Sequence, residues 1–103
     1  MAEAGAGGGD QIVERSVQIL NDAGLHARPV MRFVDLASKY QATISVTKAG
    51  PDGGERVDSK SPMEMMLLEA PQGTTLHITA TGDDAEEMVS ALVELVANRF
   101  DEP

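Results

Sequence analysis

Residues 13–40 read Val13-Glu14-Arg15-Ser16-Val17-Gln18-Ile19-Leu20-Asn21-Asp22-Ala23-Gly24-Leu25-His26-Ala27-Arg28-Pro29-Val30-Met31-Arg32-Phe33-Val34-Asp35-Leu36-Ala37-Ser38-Lys39-Tyr40, and the apolar period changes inside this stretch. Val13, Val17 and Ile19 fall on one side of a period-two segment, which predicts a strand. Asn21-Asp22-Ala23-Gly24 supplies turn chemistry and ends it. Over residues 27–40 the spacing becomes helical: Val30, Phe33, Val34 and Ala37 form one stripe, with Arg32, Asp35 and Lys39 off it. A strand, a tight turn and an amphipathic helix therefore open the fold, and each has an apolar side that needs covering.

Downstream, Ala42, Ile44 and Val46 alternate as a second strand. Residues 48–55 carry Gly50-Pro51-Asp52-Gly53-Gly54, a loop that predicts a hairpin connection to a short strand over residues 56–59. Ser61-Pro62-Met63-Glu64 reads as a helix start. The Ser61 hydroxyl can accept from the amide three residues on, Glu64 can reach back, and proline suits the first helical position. That helix should end near Ala70-Pro71, because proline cannot continue it. Leu76, Ile78 and Ala80 alternate as a fourth strand. Asp83 is expected to cap a last helix whose Met88, Leu92, Leu95 and Val96 share a face, with Glu86 and Glu87 favouring its N-terminus.

The order is strand, helix, strand, strand, helix, strand, helix. Three amphipathic helices suffice to cover one face of one sheet, so the expected fold is α+β: an open-faced sandwich with an antiparallel sheet and the helices on one side. Residues 1–10 are rich in Ala and Gly and hold no apolar side chain larger than Ala apart from Met1. They read as a flexible extension ahead of one domain over residues 11–103. Their glycines are followed by no Gly-Lys-Ser or Gly-Lys-Thr, so a phosphate loop is not expected.

Composition narrows the function. With 103 residues the chain holds one core. Only 3% of residues are aromatic and the formal net charge is -9, a poor match to stacked bases and phosphate backbones, so nucleic acid is not an expected partner. Cysteine is absent, which removes thiol nucleophiles and thiolate metal sites. No apolar run is long enough for a signal peptide or membrane span, so a cytoplasmic protein without membrane insertion is expected.

His26 stands between the turn and the helix, followed by Ala27, Arg28 and Pro29. Histidine is an inferior N-cap and His26 lies off the apolar stripe, so neither capping nor packing explains it well. Phosphoryl chemistry does. A neutral imidazole nitrogen is nucleophilic at about pH 7. A phosphoryl group placed there would face the amides of a helix start, and Arg28 could add a charge-assisted hydrogen bond. Pro29 fixes the entry geometry and should bias Arg28 away from helical angles. A surface histidine beside a solvated arginine is the competing explanation; the whole run Gly24-Leu25-His26-Ala27-Arg28-Pro29 at a strand-to-helix junction favours chemistry.

That run, with the element order around it, resembles the HPr family, the histidine-containing phosphocarriers of the bacterial phosphoenolpyruvate-dependent phosphotransferase system. The resemblance spans residues 14–100. It implies a four-stranded antiparallel sheet with three helices on one face. It also implies a phosphoryl group carried on Nδ1 of His26 with help from Arg28, enzyme I as donor, and the A domains of sugar permeases as acceptors. No cofactor is expected, and the chain is expected to act as a monomer that carries phosphate stoichiometrically rather than as an enzyme.

Ser61 falls on a family position that some members phosphorylate through a dedicated serine kinase. Its merit as an N-cap explains it equally well, and Glu64 would repel a new phosphate one turn away. Met63, Met65, Met66, Leu67 and Leu68 exceed what one buried stripe absorbs. Met66 and Leu67 fit a core role, yet some of the five must be exposed, and thioethers suit a surface that meets several partners. In the family this helix and the first form the docking face, which puts Arg32, Met63 and Met66 forward as docking residues. Arg28, Arg32 and Lys39 gather as a basic patch that could steer an acidic chain to acidic partners. His77 is expected on the uncovered sheet face with no special role. Two other functions compete: a regulatory carrier of the nitrogen-related branch, which the loop over residues 48–55 would fit, and an allosteric binding module that uses His26 only as a switch.

Overall fold

The computed structural model describes residues 11–48 and 56–101. The extension over residues 1–10 and nearly all of the loop over residues 48–55 lie outside them. Strand β1 (Ile12–Gln18), helix α1 (Ala27–Ala37), β2 (Thr43–Lys48), β3 (Val57–Asp58), α2 (Pro62–Met66), β4 (Thr75–Thr81) and α3 (Ala85–Ala97) follow in the expected order. A 3₁₀ turn, Arg99–Asp101, comes after α3. The sheet has four strands in the order β1-β4-β2-β3 with every pairing antiparallel.

Period two sorts the strands into two faces. Val13, Ile44, Val46, Val57, Leu76, Ile78 and Ala80 are buried under the helices. On the open face His77 sits opposite Ser16 on one neighbour and Thr47 on the other, and Ser16 Oγ lies 2.9 Å from its Nδ1. The α1 stripe Val30, Phe33, Val34 and Ala37 is buried, as the helical spacing requires. On α3, Met88, Leu92 and Val96 are buried together with Ala85 and Val89, while Leu95 is only partly covered. Helix α3 packs on β1 and β4, and α1 packs against α2 and α3.

Several local expectations need correction. Helix α2 ends at Met66 with Leu67 as its C-cap, well before Ala70-Pro71. The backbone already turns left-handed at Glu69, so proline is not what stops it. Ser61 does accept from the Glu64 amide at 3.3 Å, but Glu64 does not reach back. Its Oε1 accepts from the Asp58 amide at 3.0 Å, while the Ser61 amide donates to the Asp58 carbonyl. Within this helix the buried side chains are Met65 and, just past the end, Leu68; Met66 and Leu67 are exposed. With barely more than one turn, the helix has only one inward position per turn to offer.

The residue that starts α3 is Asp84, not Asp83, and its carboxylate makes no capping bond. It accepts instead from the amides of Gln41 at 2.9 Å and Ala42 at 2.8 Å, tying the head of α3 to the segment that leads into β2. The Gln41 amide foremost, with that of Ala42, the residue's own amide and the charge of Lys60, holds this carboxyl below the usual aspartate range against a partial opposing effect of burial.

Candidate functional site

The turn after β1 is built to hold His26 in place. Asn21 is buried, and its Nδ2 donates to the Gly24 carbonyl at 2.9 Å while its own carbonyl accepts from the Gly24 amide at 3.1 Å. Gly24 is left-handed with φ of 71°, a conformation that costs glycine nothing. The floor beneath the turn comes from the segment after α2. The Leu25 amide donates to the Ala70 carbonyl at 2.8 Å, and Gln72 Nε2 donates to the Leu20 carbonyl at 3.0 Å and to Asp22 Oδ1 at 3.3 Å. The Ile19 amide and carbonyl pair with Thr74 and Gly73, extending the brace to the end of β1. Leu25 is buried beside the turn and pins it to the core.

His26 is exposed at the N-cap of α1 with extended backbone, φ of -112° and ψ of -165°. Its carbonyl accepts the first helical bond, from the Val30 amide at 2.9 Å. Arg28, two residues on, is exposed as well and lies inside α1. That corrects the expectation that Pro29 would push it out of helical angles. Pro29 is buried in the first turn, where the missing N–H costs no intrahelical bond, and the steric preference on its predecessor gives way. Ala27 and Arg28 are the first-turn residues whose amides have no acceptor within the helix. The imidazole, these amides and one guanidinium therefore meet solvent at one end of α1, a constellation suited to a dianionic group.

The other residues singled out from sequence divide in two. Met63 and Met66 are exposed on α2, beside α1. Arg32 is half-buried, and its guanidinium donates to the Phe100 carbonyl in the left-handed terminal turn. It faces a shallow groove shared with Asp35, Leu36, Lys39, Leu95 and Asp101, so the charges there are of both signs and the expected basic patch is diluted. Lys39 lies beyond the end of α1. Ser61 is partly covered at the head of α2, and its neighbour in sequence, Lys60, donates its ammonium to the Tyr40 carbonyl at 2.7 Å. The bracing residues Ala70 and Gln72 carried no signal in the sequence, because their contacts are with a turn some fifty residues earlier.

The family model described as "PTS HPr component phosphorylation site" matches residues 13–98. The chain belongs to the HPr family. Phosphocarrier protein HPr of Pseudomonas aeruginosa is 43% identical over 86 residues, covering 84% of this chain and 92% of that one. Phosphocarrier protein NPr of Proteus mirabilis is 34% identical over 88 residues, covering 85% and 94%. The crystal structure of HPr-C-His from Thermoanaerobacter tengcongensis superposes with a TM-score of 0.79 at 40% identity, covering 88% of this chain and 98% of that one. Family and fold agree with the resemblance carried by Gly24-Leu25-His26-Ala27-Arg28-Pro29 and the element order.

Proposed function

We propose that this HPr-family chain is a stoichiometric phosphoryl carrier that accepts phosphate from phosphorylated enzyme I on Nδ1 of His26 and passes it to the A domain of a sugar permease. The observation that carries this reading is the exposed His26 at the N-terminal end of α1, braced by the turn at residues 21–24, inside a match to a phosphorylation-site family. The imidazole nitrogen attacks the donor's phosphorus, and the bond from phosphorus to the donor breaks as the bond to His26 forms. The first-turn amides and the Arg28 guanidinium take up its negative charge. An open, solvated site suits a carrier, because deep stabilisation of the phosphoryl group would block onward transfer. Exposed Met63 and Met66, with Arg32 at the edge of the face, form the docking surface for donor and acceptor in this reading.

The relative named NPr favours a second reading, a regulatory carrier of the nitrogen-related branch. Both differ from an allosteric module in that phosphate leaves His26 again. Incubation with enzyme I and phosphoenolpyruvate, followed by addition of a sugar-permease A domain or its nitrogen-branch counterpart, separates the three. The carrier reading expects rapid loss of label to one acceptor class; label that stays on the chain with both would favour the switch. Ser61 is a candidate for kinase phosphorylation, but Glu64 and Asp58 already crowd the head of α2 with negative charge, and the resulting repulsion favours its role as helix cap.

A further inference from the structure

Helical spacing gathers exposed thioethers on α1 and α2, which pack against each other. Met63 is 80% exposed, Met66 45% and Leu67 68%, at i, i+3 and i+4 along α2 and its cap, so they adjoin one another. Met31 is 46% exposed on α1, three residues after Arg28 and therefore next to it on the helix surface. The remaining methionines of the described residues, Met65 and Met88, are fully buried. The chain has no cysteine, so no thiol competes for a two-electron oxidant. Among the described residues the exposed sulfur thus lies on α1 and α2, two helices that pack against each other.

We propose that Met31, Met63 and Met66 are an oxidation site, and that their conversion to sulfoxides by a peroxide-class oxidant reversibly shuts down phosphoryl acceptance. In each case the thioether sulfur attacks one peroxide oxygen, the O–O bond breaks, and sulfur is oxidised by two electrons to the sulfoxide. The leaving hydroxide takes up the proton and departs as water. Reversal requires a thiol-dependent sulfoxide reductase, which removes the oxygen as water at the expense of two thiols. The consequence is physical: a flexible apolar side chain becomes a polar one with a strong acceptor oxygen, which must be stripped of water to enter an apolar contact. The inference rests on the docking role given above to Met63 and Met66, and adds regulation of that surface.

The test treats the whole chain with hydrogen peroxide, maps oxidised residues by peptide mass spectrometry, and measures initial phosphoryl acceptance from enzyme I and phosphoenolpyruvate before and after. Oxidation should fall on Met31, Met63 and Met66 with Met65 and Met88 spared, and the acceptance rate should drop by about tenfold. Methionine sulfoxide reductase with a thiol should restore it. The triple variant Met31→Leu, Met63→Leu, Met66→Leu is compared only with itself, as the ratio of treated to untreated rate, and that ratio should stay near one. A native chain with mapped sulfoxides and an unchanged rate overturns the inference while leaving the carrier reading intact, as does a variant that loses activity as much as the native chain. An untreated chain that accepts no phosphate removes the carrier reading first and the inference with it.

Discussion

At Gly24 a methyl group would meet the Ala70 carbonyl oxygen at 2.6 Å and Pro71 Cα at 2.8 Å, in a backbone conformation with φ of 71°. Gly24→Ala should therefore cost about 2 kcal/mol or more in denaturant unfolding. It should also slow phosphoryl acceptance beyond what the lost stability explains, since the displaced turn carries His26. Arg28 stands at the other extreme. It is exposed, so Arg28→Ala should leave the unfolding midpoint nearly unchanged while slowing both acceptance and donation. Transfer rates within a factor of about two of the native chain, with folding intact, would remove its electrostatic role. The placement of His26 at a turn-to-helix junction, with Arg28 two positions on, was legible from sequence. Arg32 was not, because its partner carbonyl belongs to Phe100, 68 positions away in a turn of consecutive left-handed residues that no glycine announces.

Among the elements, α2 divides its side chains between core and surface. Met63→Asp places a carboxylate on a wet face, so stability should shift by no more than about 0.5 kcal/mol while affinity for enzyme I falls. Met65→Asp buries the same group unpaired and should destabilise the isolated domain by on the order of 3 kcal/mol or more. Denaturant unfolding and enzyme I titration on both variants check the pair, and an unfolded Met63→Asp would contradict the assignment. At the head of α3 the Asp84 carboxyl is held low chiefly by the Gln41 amide, so its contribution is present above the ordinary aspartate range and is lost as pH falls through its lowered value. Asp84→Asn should lower Tm at neutral pH, and the gap to the native chain should close on acidification below that range. The capping residues located α2 and periodicity located α3, but neither fixed where α2 stops or where α3 starts. The shift from Asp83 to Asp84 goes with hydrogen bonds to the segment before β2, which no local pattern encodes, and past the end of α2 the backbone turns left-handed at Glu69 without a glycine.

For the molecule as a whole, alternation and helical spacing, with loop and capping residues for β3 and α2, were enough to order seven elements and assign the buried sheet face. The pairing order β1-β4-β2-β3 rests on long-range contacts and was not read from the sequence. The extension over residues 1–10 carries no amphipathic pattern, and removing residues 1–9 is expected to leave both Tm and phosphotransfer unchanged in thermal unfolding and transfer assays. The most direct test of the central claim is the chemistry and position of the label. After incubation with enzyme I and phosphoenolpyruvate, the native chain should gain one phosphoryl group by intact mass, labile in acid and stable in alkali as a phosphoramidate on imidazole is. His26→Ala should gain none, and His77→Ala should gain it as the native chain does. A label that survives in His26→Ala, or that resists acid, would contradict the account.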